Sequence, residues 1–198
     1  MKQGLPETLE ELEGAITNSL SAYFLGAAWV VWVYNGVDRD VCPSESMFLK
    51  DWSPGIFTDD PPDLRAFRAK NLHQFLLRGL IRDCGQFVEH YMSKNDLIPK
   101  HEGKEAWSKT PAPIYVLRIL RNGFNHDWTI GQVHEDVEWD GIVFRKNVGV
   151  MPEEGWRRGD PLLPRLHRDF GGVEIVSELM KGVLEALRKL EADKLNRS

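Results

Sequence analysis

Apolar residues recur every three to four positions in four long stretches of the chain, and each stretch reads as an amphipathic helix. The first covers about 7–34, with Leu9, Leu12, Ile16, Leu20, Tyr23, Ala27, Val30 and Tyr34 on one face, and Asn35-Gly36 closes it. The second opens after Pro61-Pro62 with Asp63 at its cap and reaches about Lys94. Its stripe runs from Leu64, Phe67, Leu72, Phe75 and Leu76 through Leu80 to Phe87, Val88, Tyr91 and Met92. A third helix starts after Pro111 or Pro113 and carries Ile114, Leu117, Leu120 and Phe124. The fourth, Val173 to about Leu195, shows Val176, Leu179, Met180, Val183, Leu187 and Leu190.

Between the third and fourth helices the period changes from about 3.6 to 2. Val137, Trp139, Ile142 and Phe144 alternate with other residues around Asp140-Gly141, the signature of a two-residue β-hairpin turn. Stretches 35–62, 95–112 and 149–172 carry Pro, Gly and charges and read as irregular loops. The expected fold is all-α: an up-and-down bundle of four to five helices with a small β-hairpin, at about 135–147, inserted before the last helix. A length of 198 residues suits a single domain, 1–198.

Composition narrows the class without assigning a function. With 42% hydrophobic and 28% charged residues the chain can bury a core, which excludes wholesale disorder. Two cysteines, Cys42 and Cys84, are too few for a disulfide framework and fit a reducing, cytoplasmic setting. The net charge of −5 argues against a surface coated in bases, but a local anion-binding cleft remains open. Leu20 to Tyr34 is the most apolar run; it falls short of the roughly 18–20 residues a membrane span needs, and acids precede it, so it reads as a buried core helix. Of seven tryptophans, Trp29 and Trp32 are assigned to that core and Trp139 to the hairpin's packing face. Trp52, Trp107, Trp128 and Trp156 fall in loops, and only Trp128 adjoins the chemistry described next.

The third helix ends in Arg118-Ile119-Leu120-Arg121-Asn122-Gly123-Phe124-Asn125-His126-Asp127-Trp128, a polar cluster on an otherwise apolar helix. Arg118, Asn122 and Asn125 share a face by spacing, and Arg121 flanks it. Gly123 weakens the helix one turn before His126, placing the imidazole at or past a C-terminus, which favours its protonated form. Arg, Asn and His form a workable set for cleaving a phosphodiester without a metal. The guanidinium clamps the phosphate, the imidazole moves a proton, and the amide orients the substrate. RNA brings its own nucleophile, the 2′-hydroxyl. Acid and base are both wanted while each chain offers one such His, and a two-fold dimer supplies the second.

The run Arg121-Asn122-Gly123-Phe124-Asn125-His126, ending a long helix and followed by Trp128, resembles the signature of the HEPN superfamily. The resemblance implies a four- or five-helix bundle, usually dimeric, with Arg and His of both protomers facing one cleft. It also implies metal-independent ribonuclease activity, no cofactor, and a role in toxin–antitoxin or other defence systems, with RNA and possibly an antitoxin protein as partners. Carried over, the catalytic set is Arg121, Asn122 and His126; Arg118, Asn125, Trp128 and Glu89 are weaker candidates for binding substrate. Members often add a polar residue on the preceding helix, here Glu89 or Asp83, and spacing does not choose between them. One toxin subgroup carries a Tyr two residues after the His, where a partner enzyme modifies it; Trp128 stands there instead and has no hydroxyl to modify.

Other matches are weaker. Arg68 and His73 repeat the Arg-to-His spacing inside the second helix, where they read as a solvated face. His134, Glu135 and Asp136 suggest ligands, but no second cluster has metal-ligand spacing, so they read as the solvated entrance to a strand. Arg65, Arg68, Lys70, Arg78 and Arg82, with Arg157, Arg158, Arg165 and Arg168, could line an RNA path or merely solvate the surface. The alternatives to a ribonuclease are a non-catalytic HEPN-like module that binds RNA or a nucleotide, and a structural adaptor.

Overall fold

The computed structural model describes residues 4–35, 61–125, 129–130, 133–146, 158–159 and 173–196, with backbone alone for 32–35 and 173–174. Four helices carry the fold among the described residues: α1 (Leu9–Asn35), α2 (Pro62–Lys94), α3 (Ala112–Asn125) and α4 (Val173–Leu195). Two antiparallel hairpins decorate them, β1–β2 (Lys100–His101 with Lys104–Glu105) and β3–β4 (Val137–Trp139 with Ile142–Phe144). The chain is an all-α bundle with small β elements.

Local chemistry fixes the element ends. Thr8 and Glu11 form a capping box at the start of α1: the Glu11 N–H donates to Thr8 Oγ1 at 3.2 Å and the Thr8 N–H to Glu11 Oε2 at 3.1 Å. Helix α2 begins at Pro62, where a missing N–H costs nothing, so Asp63 lies inside the first turn rather than at the cap; a carboxylate there still complements the helix dipole. The helix ends in a Schellman motif whose left-handed residue is Asp96, at φ 50°: the Leu97 N–H reaches the Met92 carbonyl at 2.9 Å. Asp140 and Gly141, at φ 50° and 75°, make the tight turn the sequence predicts, with Trp139 opposite Ile142. The first hairpin turns the same way through Glu102 (φ 51°) and Gly103 (φ 75°). It falls in a stretch read as irregular loop, because a Glu-Gly pair between two-residue strands is a weak turn signal.

Contacts divide the chain into two compact units, one of 1–19 with 81–198 and one of 20–80. In the larger unit polar contacts set the start of α1 beside the end of α2 and the later part of α4, and bring the ends of α2 and α4 together. Asn95 donates to the Glu7 carbonyl and Arg188 pairs with Glu13, while Tyr91 donates to Glu191 and Arg121 pairs with Glu89. The core is drawn from all four helices: Leu12 and Ile16; Ile81, Cys84, Val88, Tyr91 and Met92; Leu117, Leu120 and Phe124; Leu179, Met180, Val183 and Leu187. Each such side chain contributes about 1.5–3 kcal/mol on burial. Phe144 of β4, 0% exposed, joins them from the second hairpin.

The smaller unit pairs the later part of α1 with the earlier part of α2. Tyr23 is buried and its hydroxyl lies 2.7 Å from His73 Nε2; burial pushes that phenol up to about 12. His73 is therefore half-buried and partnered, not part of a solvated face. The expectation of a buried core helix over 20–34 is also corrected here. Phe24, Leu25 and Val31 are 44%, 75% and 55% exposed, Trp29 is only half-buried, and the side chains of Trp32 and Tyr34 lie outside the described residues. By length and composition Leu9–Val31 is long and apolar enough to cross a membrane, and only 11% of its most apolar window is buried. On α2, Leu64, Phe67 and Phe75 are exposed, whereas Ala69 and Leu77 take the buried positions.

Candidate functional site at the end of helix α3

Helix α3 has buried side chains on most of its circumference, among them Ile114, Val116, Leu117, Leu120 and Phe124. Its charged and amide side chains fall on one narrow strip, and two of them, Arg118 and Arg121, reach α2. Arg118 and Arg121, one turn apart, both reach Glu89 of α2. Arg121 Nη1 donates to Oε1 at 2.9 Å and stands 2.8 Å from Oε2, and Arg118 Nη1 donates to Oε1. The three side chains are only 27%, 23% and 20% exposed, in the order Arg118, Arg121, Glu89, which sets them apart from solvated surface pairs. Two guanidiniums on one carboxylate give the trio a charge of +1, partly offset by Glu105, whose carboxylate acts on Arg118 from the β1–β2 hairpin; partly dehydrated cations of this kind attract an anion.

Burial lowers the Arg118 pKa from its usual value, the Glu89 carboxylate pulls it back up, and the neighbouring Arg121 lowers it further. Guanidinium remains protonated in proteins all the same, so both cations stay fixed charges. Arg121 also donates to Asn122 Oδ1 at 3.3 Å, tying the amide to the cluster. Its Nε is buried and has no hydrogen-bond partner among the described residues.

Gly85, one turn before Glu89 on α2, makes the approach possible. A Cβ at this position would lie 2.8 Å from Arg121 Cγ and 2.9 Å from Arg121 Cβ. Without it, the arginine stem lies on the α2 backbone and its head is carried to Glu89.

The structure thus brings together Arg118, Arg121, Asn122 and Glu89. It also settles which acid of α2 meets α3: Asp83 pairs with its neighbour Arg82 at 3.0 Å, and Glu89 holds the arginines. Asn125, the last residue of α3, is exposed. His126 and Trp128 lie outside the described residues, as do Arg157, Arg165 and Arg168 of the late basic stretch.

Beyond the arginines opens a cavity of about 460 Å³, floored by Tyr115, Arg118, Ile119 and Asn122 of α3 and walled by the β1–β2 hairpin, Trp107 and His134. Trp107 corrects the expectation that only Trp128 adjoins the chemistry: the Arg118 guanidinium lies 4.1 Å from the centre of its ring. The indole is set by a 3-10 turn over Trp107–Lys109, closed by a hydrogen bond from the Thr110 hydroxyl to the Trp107 carbonyl at 2.7 Å. The indole N–H donates to Glu105 at 3.1 Å.

His134 belongs to the same wall rather than merely to a strand entrance. Its backbone N–H donates to the Tyr115 hydroxyl at 2.8 Å, which fastens its segment to α3. The two acids beside it are committed elsewhere. Glu135 pairs with Lys109 at 2.7 Å, and that bond holds its pKa below the usual value. Asp136 accepts from the Lys146 N–H at 2.6 Å and from Arg145 at 3.0 Å, and the backbone bond is the main cause of its lowered pKa. No protein-family model, curated protein or solved structure matches the chain.

Proposed function

We propose that the chain is a metal-independent endoribonuclease that works as a homodimer, with Arg121, Asn122 and His126 as its catalytic set. The observation that supports this reading is the tethered pair Arg118 and Arg121 on Glu89, with Asn122 attached, at the end of the helix that leads directly into His126. A guanidinium held at one end by a carboxylate loses little freedom when a phosphate arrives, and the spare positive charge offsets the charge that grows on the phosphoryl oxygens.

In the proposed reaction the 2′-oxygen of RNA attacks the adjacent phosphorus and gives up its proton to a base. The bond to the 5′-oxygen breaks, and that oxygen takes a proton from an acid. The products are a 2′,3′-cyclic phosphate and a 5′-hydroxyl, with no water, metal or cofactor consumed. His126 of each protomer supplies one proton-transfer group, and the arginines stabilise the pentacoordinate phosphorus. A toxin or other defence role in the cytoplasm, with an antitoxin as partner, belongs to the same reading.

A second reading draws on the same cluster. Glu89 already accepts from both arginines, an arrangement equally suited to a cleft that holds RNA or a nucleotide and does not cut it. The test is a cleavage assay on the purified full chain and on His126→Ala, with and without EDTA, beside a sizing column. The ribonuclease predicts cyclic-phosphate ends, activity that survives EDTA, a dimer, and loss of about 100-fold or more in the folded alanine variant. Cleavage abolished by EDTA, or undiminished in His126→Ala, overturns it. RNA retained on a filter with no fragments released favours the second reading.

A further inference from the structure

The cavity beside the arginine cluster has a chemistry the cleavage reading does not use. Its volume, about 460 Å³, lies within the roughly 300–1,000 Å³ typical of small-ligand sites. The floor is one face of α3, since Tyr115, Arg118, Ile119 and Asn122 fall at i, i+3, i+4 and i+7. Three kinds of group converge on it. A flat cation–aromatic pair, Arg118 over Trp107, offers stacking surface; both aromatic rings and guanidinium planes accept a nucleobase face.

Asn122 supplies a directional polar edge. Its Oδ1 accepts from Arg121 at 3.3 Å, which anchors the amide while the residue lines the cavity floor. Lys104 and His101, exposed on the β1–β2 hairpin, and His134 on the opposite segment supply an ammonium and ring N–H hydrogen-bond donors at the rim. Two carboxylates share this rim: Glu105, which accepts from the Trp107 N–H and acts on Arg118, and the exposed Glu102 at the hairpin turn. A planar heterocycle with an attached anion answers all three features; a simple anion leaves the stacking surface idle, and an apolar ligand leaves the hydrogen-bond donors unused.

We infer that this cavity is a subsite for one nucleotide, its base stacked on the Arg118–Trp107 pair and its phosphate met by Lys104 and His101. The inference rests on the ribonuclease reading only for its role in the reaction, where the subsite holds the nucleotide adjoining the bond to be cut. Asn122 and Arg118 belong to both places, which makes the two continuous. The chemistry is shared by a free mononucleotide and a nucleotide within RNA, and competition tells them apart.

The experiment is calorimetric titration of full-length His126→Ala protein with uridine and adenosine 5′-monophosphates, and with ribose 5-phosphate as the ligand lacking a base. At least one nucleotide binds about tenfold or more tightly than ribose 5-phosphate, the lower end of what stacking on an aromatic side chain provides. Trp107→Ala abolishes that preference, and Trp107→Phe, which keeps a ring and guards against simple unfolding, retains it. Lys104→Gln weakens nucleotide and ribose phosphate by the same factor. Equal binding of all three ligands, or a preference that survives Trp107→Ala, overturns the subsite. A short RNA displaced by the mononucleotide assigns the subsite to RNA; a mononucleotide that binds without displacing it assigns the subsite to free nucleotides. Cleavage is scored separately. A protein that shows the nucleotide preference but never cleaves RNA sinks the ribonuclease and leaves the subsite, and a protein that cleaves without the preference does the reverse.

Discussion

Among the described residues, Gly26 and Gly85 are the two glycines where an added Cβ would come within 3.0 Å of a side chain from the next helix, and they do different things there. At Gly26 of α1 an added Cβ would meet the tips of Leu76, 2.7 Å from Cδ1 and 3.0 Å from Cδ2. At Gly85 of α2 it would meet the root of Arg121, 2.8 Å from Cγ and 2.9 Å from Cβ. Leucine methyls swing away by a rotamer change, whereas a Cβ moves only with its helix. The first glycine therefore marks a forgiving apolar contact within the unit 20–80, and the second a fixed distance between α2 and α3 on which a charge cluster depends. The same absent methyl group is a convenience in one unit and a positioning device in the other.

The strongest way to break that contrast is to remove the carboxylate the positioned arginine reaches. Glu89→Gln leaves two guanidiniums partly dehydrated without the carboxylate that bridges them, Glu105 remaining as a weaker counter-charge to Arg118. Full burial would make this cost about 3–5 kcal/mol, and the residual exposure of the three side chains reduces it to about 2–3 kcal/mol. A urea midpoint unchanged by the substitution would mean that the cluster holds nothing together. Next in size is Gly85→Ala, expected to destabilise by about 1–3 kcal/mol through overpacking against Arg121. Coupling it with Arg121→Gly restores room, so the double variant should lose less than the sum of the singles. Strict additivity would show that the contact at Gly85 is incidental. The smallest effect belongs to Gly26→Ala, where the strain of moving Leu76 is set against a helix-propensity gain of up to about 1 kcal/mol. A net change within about 0.5 kcal/mol is expected, and a loss as large as that of Gly85→Ala would erase the distinction.

The two units also differ in how much of them could be read from sequence. In α3 the apolar positions have neighbours on nearly every side, so periodicity and burial coincide: Ile114, Leu117, Leu120 and Phe124 are all buried as their spacing predicts. The early part of α2 carries two apolar faces. Phe67 and Phe75 lie on one, and Ala69 and Leu77 on another, about 200° round the helix from the first. Period alone cannot rank two faces, and side-chain bulk points to the phenylalanines, which are 60% and 69% exposed.

The arginines and Asn122 were legible because a helix end gathers them within a few residues. Choosing Glu89 over Asp83 needs the register between α2 and α3, which no local pattern contains. Trp107 and His134 reach the cavity through a 3-10 turn and a hydrogen bond to Tyr115, contacts with no period at all.

Cys84 sits in the middle of the core at 0% exposure, and burial, with the charge of Asp83 added, pushes its thiol from the usual 9.0 up to about 12. Electrophiles and oxidants attack the thiolate, and this sulfur offers neither a thiolate nor a path of approach at neutral pH. Its chemical ageing is therefore scaled down by the small fraction of time the helices stand apart, whatever the reagent. A thiol-labelling rate at Cys84 thus measures how far the bundle opens, not the intrinsic reactivity of the sulfur.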